Sequence, residues 1–229
     1  MNLGKKLISI NKKIEIAQSK SLYKNSVKVI AVTKTHPFSF IEESYKSNIY
    51  SIGENKVQEA EKKFDSFVKM PKMERRFIGH LQSNKVRKCL SLFDSVDTID
   101  SVKLAKKLSN VAKEINKKIT GLIEINTSGE GQKKGFLPTQ LDDIQSCLNL
   151  PNLKVVGLMT IGPNTRNIKR IRNAFKDLRE LKDLINSKNR SKGLSELSMG
   201  MSGDYEVAIE EGSTMIRLGT VLFGVRGSL

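Results

Sequence analysis

Tryptophan is absent from this chain of 229 residues, which has only two cysteines, two histidines and five prolines. Each scarcity excludes something. Cys89 and Cys147 belong to no CxxC pair. No disulfide framework is expected, and each thiol reads as a small packed hydrophobe in a reducing compartment. His36 and His80 are too few to build a His/Cys metal site, so no metal is expected. Five prolines and 16 glycines exclude long disordered or collagen-like stretches. No window approaches the roughly 18 consecutive apolar residues of a membrane span. The N-terminus, MNLGKKLISINKKIEI, has no apolar run followed by a small-residue cleavage site. Its Leu3, Leu7, Ile8, Ile10 and Ile14 suit one face of a helix at about 2–20. The expected location is cytoplasmic.

Acidic residues are also in short supply. Forty Lys and Arg against 24 Asp and Glu leave a net charge of +16, which raises the question of nucleic-acid binding. The densest basic segment runs from Arg166 to Lys192, opposed there only by Asp177, Glu180 and Asp183. Aromatics are 6%, and no RNP, KH or zinc-finger pattern appears. The preferred reading is a lysine-rich solvated surface, and nucleic acid is not the expected partner.

What remains is an ordinary globular composition, 38% hydrophobic and 28% charged. Short β-branched runs alternate with longer amphipathic stretches. Strands are expected at Val27–Thr33, Ile49–Gly53, Arg76–Leu81, Ser95–Ile99, Gly121–Asn126, Lys154–Ile161, Glu196–Met201 and Met215–Gly224. Helices are expected at Phe40–Lys46, Lys56–Phe67, Asn84–Leu92, Val102–Lys118, Thr139–Leu148, Asn167–Asn186 and Asp204–Glu211. Asp100–Ser101 and Asp204 look like N-caps, and Gly212 like a C-cap. Strand–helix alternation implies βαβ units, and eight of them can close into an α/β fold of the (β/α)8 TIM-barrel type, here as a single domain spanning 1–229. A doubly wound sheet is the alternative, but no G-x-G-x-x-G follows the first strand.

In such a barrel the chemistry lies at the C-terminal strand ends. Lys34 closes the first strand. An amine there is partly desolvated, which lowers its pKa and makes it a nucleophile toward a carbonyl. It is equally one lysine at a strand end among many. Ser202 and Gly203 precede an expected helix, and Arg217-Leu218-Gly219-Thr220 adds a guanidinium and a hydroxyl. Together they suggest a phosphate site at the last two strands, with turn chemistry as the alternative. His80 could donate a proton in the mouth, although a hydrogen-bonded structural imidazole is the commoner case. Glu54 could pair with a lysine. Met159, Met199 and Met201 read as packing.

These residues fall within stretches that resemble a known family: AVTKTHP at 31–37, IGENKVQEA at 52–60, FIGHLQSNK at 77–85, INTSGEGQKKGF at 125–136, GLMTI at 157–161 and LSMGMSGDYEVAIEEGSTMIRLGTVLFGVR at 197–226. They closely resemble the pyridoxal 5′-phosphate (PLP) homeostasis proteins, the YggS/PROSC family. The resemblance implies a barrel similar to the N-terminal domain of alanine racemase, with PLP, the active form of vitamin B6, held as a covalent imine (Schiff base) by Lys34. It further implies Arg217 near the pyridine nitrogen, Gly219, Thr220 and Ser202 on the phosphate, Asn55 close to the ring, and Met199 lining the pocket. Many members carry Trp-His where this chain has Arg75-Arg76; that departure is expected to alter the strand start, away from the mouth.

A racemase of this barrel type needs a base on each face of the substrate carbon. In alanine racemase the second is a tyrosine from an additional domain of the partner subunit. No counterpart of that domain is expected here, and Tyr23, Tyr45, Tyr50 and Tyr205 have no evident claim to the role. The expectation is a monomeric, non-catalytic PLP carrier with no catalytic residues, buffering the cofactor and delivering it to apo PLP-enzymes. A weak racemase-like enzyme is the first alternative and a nucleic-acid binder through 166–192 the second.

Overall fold

The computed structural model describes residues 3–64, 70–188 and 193–224. The β-branched runs form β1 (Lys28–Val32), β2 (Ser51–Glu54), β3 (Glu74–Phe77), β4 (Ser95–Ile99), β5 (Ile119–Glu124), β6 (Leu153–Met159), β7 (Glu196–Met201) and β8 (Met215–Leu218). All pair in parallel, in chain order, and β8 returns to β1 to close the barrel. The amphipathic stretches form α1 (Leu3–Lys20), α2 (Ser39–Lys46), α3 (Val57–Phe64), α4 (Val86–Leu92), α5 (Val102–Glu114), α6 (Leu141–Leu148), α7 (Ile168–Lys188), α8 (Tyr205–Glu210) and α9 (Thr220–Phe223). This is a (β/α)8 barrel with one extra helix at the N-terminus. The expected helix Lys56–Phe67 is described as far as Phe64, and its last residues lie outside the described residues.

Alternation along each strand sorts side chains into two layers. The large outer layer packs strands against helices and includes Ile52, Phe77, Val96, Leu197 and Ile216. The small inner layer holds Ile30, Leu122, Met159 and Met215. Four apolar side chains do not fill a barrel, and the rest of the interior is polar. Arg76 donates from Nε to Oδ2 of Asp97 at 2.7 Å and from Nη1 to Oε1 of Glu74 at 2.5 Å. Arg76 and Asp97 are both buried to within 1%. The Arg75-Arg76 departure is therefore not confined to a strand start. Both residues sit within β3, and Arg76 crosses the interior to a carboxylate that lines a cavity in the barrel mouth.

Two boundaries differ instructively. The expected strand Met215–Gly224 stops at Leu218, and Thr220–Phe223 turn into α9 with Leu222 and Phe223 buried. An apolar run of this length does not distinguish strand from buried helix. On α1, Leu3, Ile10, Ile14 and Ala17 are buried and Leu7 packs against the core, but Ile8 is 73% exposed because it falls off the three-to-four spacing. Ser101 caps α5, accepting from the Leu104 N–H at 3.3 Å. Asp204 occupies the N-cap position of α8, yet its carboxylate turns back to the Met201 N–H at 2.5 Å. Gly212, at φ +95°, takes the left-handed position after the same helix.

Candidate active site

Lys34 follows the last residues of β1, and both its neighbours are tied to α3. Lys63 Nζ donates to the Thr33 carbonyl at 3.0 Å and to Glu54 Oε1 at 2.9 Å. Thr33 Oγ1 donates to the same Glu54 oxygen at 2.7 Å. One helical turn earlier, Glu59 accepts from the Thr35 N–H at 3.3 Å. Glu59 and Lys63 share a helix face at i, i+4 spacing, so one surface of α3 holds the backbone on either side of Lys34. The restraint matters because Thr35 adopts φ +66°, a costly conformation for a β-branched residue. The lysine anticipated for Glu54 is thus Lys63. Glu59 was missed, and its i, i+4 spacing to Lys63 was the only signal. Glu54 is fully buried and its Oε2 has no hydrogen-bond partner. Burial pushes its carboxyl above the usual range despite the Lys63 charge. Glu59→Ala is expected to lower stability by about 1–2 kcal/mol, read by urea denaturation, because a charge-assisted bond to a strained backbone is lost. An unchanged midpoint would show that Thr35 holds its conformation unaided.

Lys34 lines a cavity of about 300 Å³ in the barrel mouth, together with Ser202, Arg217, Gly219 and Thr220. Its walls include His36, which stacks on Phe40, and Met159, Asp97 and Met201. At one end, Ser202 Oγ accepts from the backbone N–H groups of Gly219 and Val221, each at 3.3 Å. Those donors converge on Ser202 Oγ, beside the cavity that Ser202 and Gly219 line. A bulge aims Ser202 there. The β7–β8 register shifts between Ser198 and Met201, and Gly200 sits at φ +95° where a Cβ would lie 2.6 Å from Ala208. A Cβ on Gly219 would meet no protein atom closer than 3.5 Å, and one on Gly203 none within 4 Å, so the space before these donors is open.

Arg217 is 5% exposed and donates to the Ser198 carbonyl at 2.7 Å, to Ser198 Oγ at 2.8 Å and to the Thr160 carbonyl at 2.7 Å. All three acceptors are neutral. Burial pulls its pKa down, opposed by the charges of Asp97, Asp204 and Glu124. A guanidinium nevertheless stays charged across the working pH range and offers no acceptor.

Two expected site residues lie elsewhere. Asn55 does not line this cavity. Its backbone is pressed against Gly79, where a Cβ would come within 2.2 Å of the Asn55 carbonyl, and its Oδ1 is buried without a partner. Met199 does not line the cavity either, and the expectation that it would is corrected. Ser198 faces inward to Arg217, so by alternation Met199 faces the helices, where it is fully buried. Met159 and Met201, read from sequence as packing, line the wall instead.

Other sequence candidates resolve plainly. His80 Nδ1 lies 3.0 Å from Asp100 Oδ2. None of the four tyrosines lines the cavity: Tyr205 is buried in the outer layer, Tyr23 lies beneath Arg179, and Tyr45 packs on Tyr50. In the basic segment, Arg172 pairs with Glu210 and Glu211, Arg179 with Glu211, Lys176 with Glu180 and Lys182 with Asp183. Glu210 and Glu211 come from the α8 turn, distant in sequence, so the segment is less positive than its own residues suggest. Arg190 and Lys192 lie outside the described residues. Burial pushes the Cys147 thiol up to about 11 and the Cys89 thiol higher still, so neither is a nucleophile. Among the described residues, no group of three His, Cys, Asp or Glu could hold a metal ion, and no helix is long and apolar enough to cross a membrane.

An amine, a permanently charged guanidinium and a cradle of N–H and hydroxyl donors around one open space fit a ligand carrying an aldehyde, a ring and a phosphate. The comparisons agree with that chemistry. Residues 7–227 match the family model of the alanine racemase N-terminal domain. A pyridoxal phosphate homeostasis protein of Synechocystis sp. is 41% identical over 202 residues, covering 88% of this chain and 92% of that protein. One from Haemophilus influenzae is 38% identical, covering 99% and 97%. PipY of Synechococcus elongatus PCC7942, solved with PLP bound, superposes with a TM-score of 0.86 at 30% identity, covering 97% of this chain and all of that one. The chain belongs to the family of pyridoxal phosphate homeostasis proteins, built on the barrel of the alanine racemase N-terminal domain.

Proposed function

We propose that this protein binds PLP in the main cavity and serves intracellular PLP homeostasis as a carrier. The observation that carries the reading is the convergence of Lys34, Arg217, Ser202, Gly219 and Thr220 on one cavity. PLP supplies an aldehyde that condenses with amines and a ring that withdraws electrons. Lys34 is the amine that holds the aldehyde as an imine, with its position fixed by the α3 restraints on Thr33 and Thr35. Ser202, Gly219 and Thr220 hold the phosphate. Arg217 faces the pyridine nitrogen and disfavours its protonation, which weakens the ring as an electron sink.

Support for a carrier over a turnover catalyst comes from the walls. Arg217 in the wall opposes protonation of the ring and with it carbanion stabilisation. A carrier working as a cytoplasmic monomer would meet apo PLP-enzymes as its recipients.

The test is an absorption spectrum with PLP, wild type beside Lys34→Ala, followed by borohydride reduction and peptide mapping. A visible band in wild type alone, with the adduct on Lys34, is the expected result. An adduct elsewhere, or none, would overturn the role of Lys34. Loss of optical activity from an amino acid, abolished by Lys34→Ala, would replace the carrier by an enzyme.

A further inference from the structure

A second cavity, of about 210 Å³, opens on the other side of the mouth, sharing Ile78 and Ile161 with the first. Its notable wall is Glu124, at the end of β5. The residue is 8% exposed, its carboxylate lines the cavity, and the charges that act on it are those of Asp100 and Arg217. Inward alternation with Leu122 points it toward the barrel interior. A buried carboxyl without a donor is costly unless it is protonated or meets a cation.

The other charged groups around it are accounted for. Asp100, after β4, is engaged by His80 and by the Ser101 hydroxyl. Arg217, from β8, donates its hydrogen bonds to Ser198 and Thr160. Lys133 donates to the Gly162 carbonyl at 2.7 Å and pairs with Glu130 at 2.6 Å. None of these cations donates a hydrogen bond to Glu124, although the Arg217 charge acts on it through space. Lys134 lines the cavity and makes no ion pair among the described residues. The space thus has an acidic group waiting at its base and an ammonium at its rim. Its volume is below that of drug-sized sites and suits a ligand of few heavy atoms.

We propose that this second cavity binds a small amino acid, whose ammonium pairs with Glu124 and whose carboxylate faces Lys134. The site is separate from the PLP reading and is tested without it, on the full chain freed of carbonyl ligands by hydroxylamine and dialysis. Glycine, methylamine and acetate are titrated, with binding followed by saturation-transfer NMR. Glycine is expected to bind saturably, methylamine more weakly, and acetate not at all. Glu124→Gln is expected to weaken glycine by at least about tenfold. Lys134→Ala should weaken glycine while leaving methylamine unchanged. Because ionised Glu124 is the required form, wild-type affinity should rise between about pH 5 and about pH 8, and Glu124→Gln should abolish that rise. No saturable glycine binding, or binding indifferent to Glu124→Gln, overturns the proposal and leaves Glu124 a buried neutral acid.

Discussion

Replacing Arg76 by Met is expected to cost the fold about 3–5 kcal/mol, because it strands the Asp97 carboxylate in the barrel interior. Asp97 is fully buried, and its remaining partner would be the Ser95 hydroxyl at 2.5 Å. One neutral hydroxyl does not compensate a desolvated charge. Glu74, which also leans on Arg76, loses part of what holds its carboxyl below the usual range. For a domain of this length the loss corresponds to a melting temperature lower by roughly 10 °C. The double replacement Arg76→Met with Asp97→Leu separates charge from packing. Removing both members leaves no buried unpaired ion, so most of the lost stability should return. Urea denaturation of the two single variants and the double reads this directly. A double variant no better than the worse single would show that the pair matters through shape rather than charge.

Glu124→Gln is expected to work in the opposite direction, stabilising the protein at alkaline pH. Burial first, then the Asp100 charge, raises this carboxyl from 4.5 to about 7, partly offset by Arg217. Between those two values the folded state keeps a proton that the unfolded state has released. Stability therefore falls as pH rises through that window and levels off above it. The shift corresponds to roughly 3 kcal/mol. Gln, neutral at every pH, escapes the penalty. The variant should match wild type near pH 4–5 and exceed it by up to about 3 kcal/mol near pH 8. Equal differences at both pH values would mean that Glu124 is not the titrating group. A residue that costs stability at working pH needs another reason to be present, and the amino-acid site supplies one.

Lys34 shows how far residue patterns reach unaided. A lysine ending a β-branched run could be placed at the barrel mouth from the alternation of the chain, because parallel topology puts every strand's C-terminal end on one face. Ser202, Gly219 and Thr220 were legible for the same reason. The whole barrel was legible too, since period and turn residues are local properties of the sequence. Residues that act across the interior were not. Lys63 and Glu59 reach Lys34's neighbours from a different element, and Arg76 meets Asp97 through a barrel that must first be closed. The residue pattern read Met199 as packing, as it is; the family resemblance set it on the pocket wall, and which face of β7 meets Arg217 decides between them.

The alternation, the barrel it implies and the chemical groups at its mouth follow from local sequence, because each rests on neighbours within a few residues. Which charges pair, which stay buried without a bond and which face a cavity follows from how distant elements pack. Glu210 and Glu211 neutralise arginines on α7, Lys63 finds Glu54, and Glu124 gains no ion pair within 4 Å among the described residues. Those outcomes depend on desolvation and on distances across the fold, and neither is written in the order of residues along a chain.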